Sequence, residues 1–365
     1  DRINIGSENC AQEVHMIYRK LLLSVVALLV AILPVTAFTP KKEYTMQVNV
    51  TQVVDWGAGA QKFADLVAQK TNGVINIKPY WSSSLLAGKQ TNWYQAVADG
   101  AIDFATESTM NACNVIRPFN LFSLPFFINT YDNVDKIENG KSGARIIAEM
   151  EKGGVKFLAW GENGFRQITN SKREIRTPKD VEGLKIRVVG SPIMIDIFKQ
   201  LGADPINMNW GDAVTAFQQG VVDGQENPKG VLIGNKIWEY HKYMTIWNYL
   251  IDPLVFCVNS QVWKSFPPDI QAQIQEAALE AGEWEKALAR CYLDGDKSLK
   301  IFKEKFKDPR DPENLFVVAP AKGMKITVLT AEEIAAFKEK TKPVYDKWVP
   351  TIGEDIYKLA LEDMK

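Results

Sequence analysis

The residue with the clearest chemistry in this sequence is an arginine near the middle of the chain. Apolar and basic residues alternate around it, in the order Leu184, Lys185, Ile186, Arg187, Val188. This alternation is typical of a β-strand and places Arg187 on the side opposite the apolar residues. A guanidinium is planar and always charged, so it can hold a carboxylate through two parallel hydrogen bonds. We therefore expect an anion-binding arginine, the alternative being an arginine on a solvated sheet face.

Three more residues are candidates for contact with the same anion. Arg166 precedes a polar stretch at a predicted chain crossover, and Trp210 lies just before a predicted helix at Asp212. Asn227 stands before Pro228, which restricts it to an extended conformation and leaves its amide to donate to a carboxylate. Taken alone, each residue also fits a structural role: a surface arginine, a core or capping tryptophan, and a turn asparagine.

Residues that would support catalysis or metal binding are scarce. Beyond residue 37 the chain has one histidine, His241, and three cysteines outside any Cys-x-x-Cys pair, Cys113, Cys257 and Cys291. A nucleophile–histidine pair, a structural zinc site and a disulfide framework are therefore disfavoured. We expect buried thiols, with one disulfide as the alternative. Glu226 has no partner acid at a diagnostic spacing and is interpreted as structural, or as the salt-bridge partner of a pocket arginine.

We therefore predict that the protein is not an enzyme and has neither a metal site nor a cofactor. A secreted hydrolase or lyase is the disfavoured alternative.

The composition is that of a globular protein without a strong overall charge. The chain has 365 residues, of which 46% are hydrophobic and 24% charged, and its formal net charge is −1. This length is sufficient for two domains. Nucleic-acid binders normally carry a basic excess, so no nucleic-acid partner is expected.

The N-terminal segment has the layout of a secretory signal peptide. A short basic start at 16–20 is followed by an apolar run at 21–33 and by small residues at 34–37. We expect cleavage after Ala37, with residues 1–15 as an extension upstream of the signal. The alternative, a transmembrane anchor, would need an apolar run of about 20 residues. The segment therefore predicts secretion into the periplasm.

The sequence predicts alternating strands and helices in two stretches, residues 44–104 and 184–224. These elements would position the anion-binding strand. This order predicts an α/β fold with largely parallel sheets, in which ligands bind at the carboxyl ends of strands. Helical spacing also runs from Pro267 toward Gly295, long enough to pass beneath two lobes. The alternative is two helices broken near Gly282 or Gly295.

Three segments together resemble the substrate-binding subunits of tripartite ATP-independent periplasmic (TRAP) transporters, the DctP-type family. They are Gly-Phe-Arg-Gln-Ile-Thr-Asn-Ser-Lys-Arg at 164–173, Gly-Leu-Lys-Ile-Arg-Val at 183–188, and the stretch 209–228. The Asp-Gly-Gln-Glu-Asn-Pro run that ends the third segment is specific for the family. Weaker similarity covers nearly all of the chain after residue 37.

The resemblance implies a two-lobed periplasmic-binding-protein fold, the flytrap, with a long helix spanning both lobes. Lobe I is expected at residues 43–162 plus 254–297, and lobe II at 163–253 plus 298–365.

The resemblance also implies roles for five residues. Arg187 matches the arginine that holds the ligand carboxylate, and Arg166 matches a second pocket arginine. Asn227 matches the asparagine that closes the Gln-Glu-Asn triplet, and Trp210 occupies an aromatic position that lines the pocket. Glu107 matches a polar pocket residue from the first lobe, but its spacing after Asp103 differs by one residue from that of the family. The chain departs from relatives at Gly190, and Ile251-Asp252-Pro253 matches no pattern tied to one ligand.

A family member of this kind is an extracytoplasmic solute receptor. The resemblance implies binding of a small organic carboxylate, such as a C4-dicarboxylate, a 2-oxo acid or a sugar acid. Cleft closure would then deliver the ligand to TRAP permease subunits in the membrane, and the receptor itself would be a monomer. The alternatives are a receptor for an ATP-driven importer and a ligand-sensing protein.

Overall fold

The computed structural model describes residues 38–365 of the chain. The predicted signal peptide and its cleavage after Ala37 lie outside the described residues. Within them, none of the helices is both long and apolar enough to cross a membrane. Cys113, Cys257 and Cys291 are buried free thiols, as expected.

Strands and helices alternate along most of the described chain. The strands are β1 (Tyr44–Val48), β2 (Ile77–Tyr80), β3 (Phe104–Ser108), β4 (Val155–Phe165), β5 (Gln167–Asn170), β6 (Lys185–Val188), β7 (Asp204–Asn207), β8 (Gly224–Asn227), β9 (Tyr243–Ile246), β10 (Ile251–Asn259) and β11 (Lys325–Val328). The helices are α1 (Asp55–Lys70), α2 (Trp93–Ala98), α3 (Tyr131–Asn139), α4 (Lys141–Glu151), α5 (Pro192–Gln200), α6 (Trp210–Gln218), α7 (Lys229–Gly234), α8 (Ser260–Ser265), α9 (Pro268–Arg290), α10 (Lys297–Lys300), α11 (Leu315–Ala321), α12 (Ala331–Thr341), α13 (Pro343–Ile352) and α14 (Glu354–Asp363).

Two mixed sheets form the centres of two lobes. The sheet of the first lobe has the strand order β2-β1-β3-β10-β4, and that of the second lobe has the order β11-β9-β5-β8-β6-β7. Strands β1, β2 and β3 run parallel, whereas β10 lies antiparallel between β3 and β4. In the second lobe, β6 runs parallel to β7 and β8, and β5 is antiparallel to β8. The predicted two-lobed α/β fold is confirmed.

The chain crosses between the two sheets more than once. It does so at Arg166, between β4 and β5, and again over residues 247–250, between β9 and β10. A further crossing joins α9 to β11. Helix α13 contacts both α5 and the short helical segment Arg117–Ser123, and α14 packs on α4. The assignment of residues 298–365 to lobe II therefore stays a prediction.

The long helix α9 lies against the first lobe and reaches the second with its end. Its 23 residues correspond to a length of about 34 Å, and it packs on α1 and β4. It continues through Gly282, where an added Cβ would lie 2.3 Å from the carbonyl oxygen of Trp160. The helix ends at Arg290, before Gly295. There the amine of Lys229, from α7, donates to the carbonyl oxygen of Leu288 at 3.1 Å, a favourable place for a cation.

Candidate ligand-binding site

Each sheet turns one edge, formed by the ends of its strands, toward the other lobe. Arg187 lies near the carboxyl end of β6, and Asn227 closes β8, which runs parallel to β6. Arg166 reaches the same edge because it precedes β5, whose first residue pairs with Asn227. In the first lobe, Ser108 closes β3, and the antiparallel β10 brings Asp252 to the same end. This is the location that an α/β sheet favours for ligand binding.

A small cavity lies between these edges. We call it the interlobe cavity. Its walls are formed by Asn49, Val50, Trp56, Gln90, Ser108, Met110, Asn111, Asn163, Arg166, Arg187, Val189, Trp210, Asn227, Val231 and Asp252. Four of the five predicted site residues are among them: Arg166, Arg187, Trp210 and Asn227.

Arg187 is a buried cation without an anionic partner. Its side chain is 2% exposed, and no carboxylate of residues 38–365 forms an ion pair with it. Nε and Nη2 both donate to the carbonyl oxygen of Met208, at 2.9 and 2.7 Å, and the guanidinium carbon lies 5.3 Å from the centre of the Trp210 ring. Of its five N–H donors, three have no acceptor in the described chain. Burial lowers the pKa of Arg187 to about 10, so the group stays charged at neutral pH.

Arg166 is equally buried, but its charge is already balanced. It forms ion pairs with Glu226 and, at 3.0 Å, with Asp252, and Nη2 donates to the side-chain oxygen of Asn227 at 3.0 Å. Burial alone would lower its pKa, yet the pKa of Arg166 is raised because Glu226 and Asp252 stabilise the cation. Glu226 also accepts from the hydroxyl of Tyr249 at 2.7 Å. The interpretation of Glu226 as the partner of a pocket arginine is confirmed.

Asn227 and Trp210 line the cavity from the second lobe. The Asn227 amide is held between Arg166 and Gln225, to which its Nδ2 donates at 2.5 Å. Trp210 is the first residue of α6, and its ring packs against both Arg187 and Phe217. Both side chains are therefore positioned by the arginines they contact.

Glu107, the fifth predicted residue, is not part of the cavity wall. It is fully buried in β3, and its Oε1 accepts from the amide of Gln47 at 3.2 Å. Burial raises the pKa of Glu107 well above its usual range. The wall is formed instead by its neighbour Ser108 and by Asn111.

Asp252 belongs to the cavity wall but is not among the predicted site residues. It is 1% exposed and accepts from Ser108 Oγ at 2.5 Å, Asn163 Nδ2 at 2.8 Å and Arg166 Nη1 at 3.0 Å. Burial raises the pKa of Asp252, and Arg166 opposes that rise. The only sequence signal for this residue is the unmatched Ile-Asp-Pro motif.

Three hydrogen bonds join the lobes beside the cavity. The backbone N–H of Trp210 donates to Gln90 Oε1 at 2.8 Å, and Asn114 Nδ2 donates to the carbonyl oxygen of Gly190 at 2.8 Å. The thiol of Cys113 donates to Ser191 Oγ at 3.2 Å. The structure therefore represents a closed cleft.

The described residues contain no group of three or more His, Cys, Asp or Glu side chains that could hold a metal ion. The polar groups of the cavity are an arginine with free donors, amides, a serine and a carboxylate. Such a set can bind an anion with polar substituents through charge-assisted and neutral hydrogen bonds.

Comparison with known proteins identifies the type of site. Residues 48–300 match the model of bacterial extracellular solute-binding protein family 7, also called DctP. The chain belongs to this family. Its members and structural neighbours are substrate-binding receptors, so the protein is a receptor for a small organic solute and not an enzyme.

Relatives and solved structures from several bacteria are similar over most of the chain. A 2,3-diketo-L-gulonate-binding periplasmic protein of Escherichia coli is 32% identical over 229 residues, covering 63% of this chain and 69% of that protein. A C4-dicarboxylate-binding periplasmic protein of Rhodobacter capsulatus is 29% identical over 300 residues, covering 82% of this chain and 84% of that protein. A TRAP periplasmic solute-binding protein of Ralstonia eutropha H16, solved with (S)-2-acetolactate bound, is 44% identical with a TM-score of 0.83, covering 89% of this chain and 99% of that chain.

The family also fixes the broad cellular role. Its members are extracytoplasmic, bind small organic acids and work with a membrane transporter.

Proposed function

We propose that this protein captures a small organic acid in the interlobe cavity, with Arg187 as the main ligand for its carboxylate. The observation that carries the proposal is the buried Arg187 guanidinium, which within residues 38–365 has three free N–H donors and no carboxylate partner. An unpaired charge is costly to bury, and a bound carboxylate would remove that cost. The two-pronged geometry of guanidinium suits this role.

Arg166 and Asn227 have a supporting role in this proposal. Glu226, Asp252 and Asn227 accept from most of the N–H donors of Arg166 and balance its charge, so it orients the polar wall more than it attracts an anion. Trp210 packs on Arg187 and keeps the guanidinium directed across the cleft. Glu107 has no place in this proposal, because its side chain is buried against Gln47 and is not part of the cavity wall.

Binding and cleft closure are coupled in the proposed mechanism. The acid binds to one lobe first, and closure adds contacts from the other lobe. Closure also removes water, which strengthens the interaction between Arg187 and the carboxylate. The closed monomer then docks on TRAP permease subunits in the membrane.

Relatives indicate which acids to test. The Ralstonia eutropha neighbour holds (S)-2-acetolactate, and a Sulfurospirillum deleyianum neighbour that is 27% identical, with a TM-score of 0.75, holds succinate. We therefore propose small hydroxy and oxo acids as the first candidates, with succinate as the dicarboxylate to compare them with, ahead of the sugar acids bound by other neighbours.

A thermal-shift screen of organic acids, followed by calorimetry, tests the proposal. An acid present at 100 times its dissociation constant stabilises the protein by about 2.7 kcal/mol, which the screen detects. Arg187→Ala is expected to weaken binding at least tenfold, since a charge-assisted hydrogen bond contributes about 1.5–3 kcal/mol. Lys185→Ala, an exposed cation on the same strand, is the matched control and should bind normally. Equal affinity of the wild type and Arg187→Ala would refute the role of Arg187.

Secretion through the N-terminal segment is part of the proposal. Mass spectrometry of the protein exported by its own leader should give a mature N-terminus at Phe38. A retained leader would contradict the proposed cleavage after Ala37.

A further inference from the structure

Asp252 is a second charged group on the wall of the interlobe cavity, and its role differs from that of Arg187. It is 1% exposed, and its two oxygens are used unequally. Among the described residues, Oδ2 accepts from Asn163 and Arg166, whereas Oδ1 accepts only from the hydroxyl of Ser108. A carboxylate oxygen can accept two hydrogen bonds, so Oδ1 has room for one more donor.

A neighbouring acceptor adds to this polar side of the cavity. Asn163 is 7% exposed and lines the cavity, and its Oδ1 is buried without a hydrogen-bond partner in residues 38–365. A buried acceptor of this kind is costly to leave unsatisfied. Asn163 Oδ1 therefore requires a donor and Asp252 Oδ1 can accept one more, and a ligand hydroxyl can supply the hydrogen whereas a ligand carboxylate cannot.

The charges of the cavity support only one ligand carboxylate. Arg187 is free, but Arg166 is already paired with Glu226 and Asp252. A second carboxylate on the ligand would find no free cation on the described walls and would lie near the negative charge of Asp252. Like charges in a site shielded from water are strongly unfavourable.

We propose that Asp252 selects the ligand class: the cavity takes a monocarboxylate that carries a hydroxyl group close to its carboxylate, and Asp252 rejects dicarboxylates. This inference rests on the proposed function, because it assumes that Arg187 holds the first carboxylate. Arg187 anchors the acid, and Asp252 together with Asn163 receives the hydroxyl hydrogen.

Three four-carbon acids separate the two requirements on the wild-type protein. Butanoate has the carboxylate alone, 2-hydroxybutanoate adds the hydroxyl, and malate replaces the terminal methyl of 2-hydroxybutanoate with a second carboxylate. At pH 7.5, calorimetry should show that 2-hydroxybutanoate binds at least tenfold more tightly than either of the others. Equal or tighter binding of malate would overturn the proposal without any mutant.

Asp252→Asn keeps the size of the side chain and removes its charge. Affinity for malate should rise, because the repulsion disappears and Arg166 loses one of its two anions. Affinity for 2-hydroxybutanoate should fall, so that the ratio of the two affinities drops at least tenfold. A purely structural role for Asp252 would instead weaken the binding of both acids together and leave their ratio unchanged.

Asp103→Asn is the matched control. Asp103 is also a buried carboxylate of the first lobe, paired with Lys41 and bound by Thr45, and it is not part of the cavity wall. Its variant should keep the wild-type ratio. Failure of the proposed function has a different result: no acid binds, or Arg187→Ala binds as the wild type does. If acids bind through Arg187 but malate is preferred, the role of Asp252 alone is wrong.

Discussion

Two buried charge clusters in this protein are balanced in different ways. In the first, on the long helix, Arg290 pairs with Glu162 at 2.6 Å and with Asp135 at 2.8 Å. In the second, in the interlobe cavity, Arg187 has no anion in the described chain. The first cluster is complete without any other molecule, whereas the second requires one.

Protons complete the balance of the helix cluster. Besides Arg290 and its two partners, the cluster contains Lys286, which pairs with Glu138, and Glu285, which accepts from the backbone N–H of Glu162 at 2.7 Å. Burial raises the pKa of Glu138 to about 7, opposed by Lys286, and raises that of Glu285 well above its usual range. The cluster has more carboxyl groups than cations, and protonation of Glu138 and Glu285 offsets this excess of negative charge. In the cavity, a ligand would supply the missing anion.

The largest expected effect comes from breaking the complete cluster. Arg290→Met leaves Glu162 buried without its cation, which should lower the free energy of unfolding by about 3–5 kcal/mol. Urea denaturation measures this loss. The affinity of the folded variant for its acid should stay at the wild-type value. A loss below about 1 kcal/mol would mean that the pairing of Arg290 is not structural.

The next effect is a pH dependence of stability. In the folded protein the pKa of Glu138 is about 7, above its ordinary value of 4.5, so the native state keeps a proton that the unfolded chain loses. The free energy of unfolding should therefore fall as the pH rises, by about 2 kcal/mol between pH 5 and pH 7 from this group.

Glu138→Gln should remove that part of the slope in urea denaturation at the two pH values. Glu276→Gln, on the exposed side of α9, is the control and should keep the wild-type slope. An unchanged slope in Glu138→Gln would contradict the prediction.

A smaller effect is expected at the contact between the lobes. Gln90→Ala removes the acceptor for the Trp210 backbone N–H, worth about 1 kcal/mol of the closed form. Calorimetry should show an affinity about fivefold weaker. Gln95→Ala, on the exposed side of α2, should bind normally. If both variants bind equally well, this bond does not contribute to closure.

The smallest effect is expected for the stability of the unliganded protein after Arg187→Met. Removal of an unpaired buried cation relieves a desolvation cost, so the free energy of unfolding should stay within about 1 kcal/mol of the wild type or rise. The same urea titration as for Arg290→Met tests this. A loss of several kcal/mol would mean that Arg187, like Arg290, stabilises the fold without a ligand.

Sequence reasoning succeeded where the signal is local. The alternation around Arg187 is enough to predict β6, and the three- and four-residue spacing of apolar residues after Pro268 is enough to predict α9, which continues through Gly282. It identified Glu226 as the partner of a pocket arginine but did not predict Asp252, the second partner of Arg166, because Asp252 comes from β10 and is distant in sequence.

Glu107 shows the sensitivity of strand patterns to register. Successive side chains of a strand point to opposite faces, so a one-residue difference in alignment exchanges a wall residue for a buried one. Ser108 is the wall residue. Gln90 and Asn163 have no local pattern at all, since they reach the cavity only through the pairing of distant elements.

The hydrogen bond between Cys113 and Ser191 gives the protein a built-in chemical reporter. In the closed cleft the thiol is 2% exposed, and burial raises its pKa to about 11, so alkylating reagents find little thiolate to attack. Cleft opening would separate residues 113 and 191 and break this hydrogen bond, and we expect it to expose the sulfur. The rate at which Cys113 is alkylated should therefore report how often the cleft opens. A bound acid that keeps the cleft closed should lower this rate in proportion to the fraction of protein that is occupied. No engineered probe is needed.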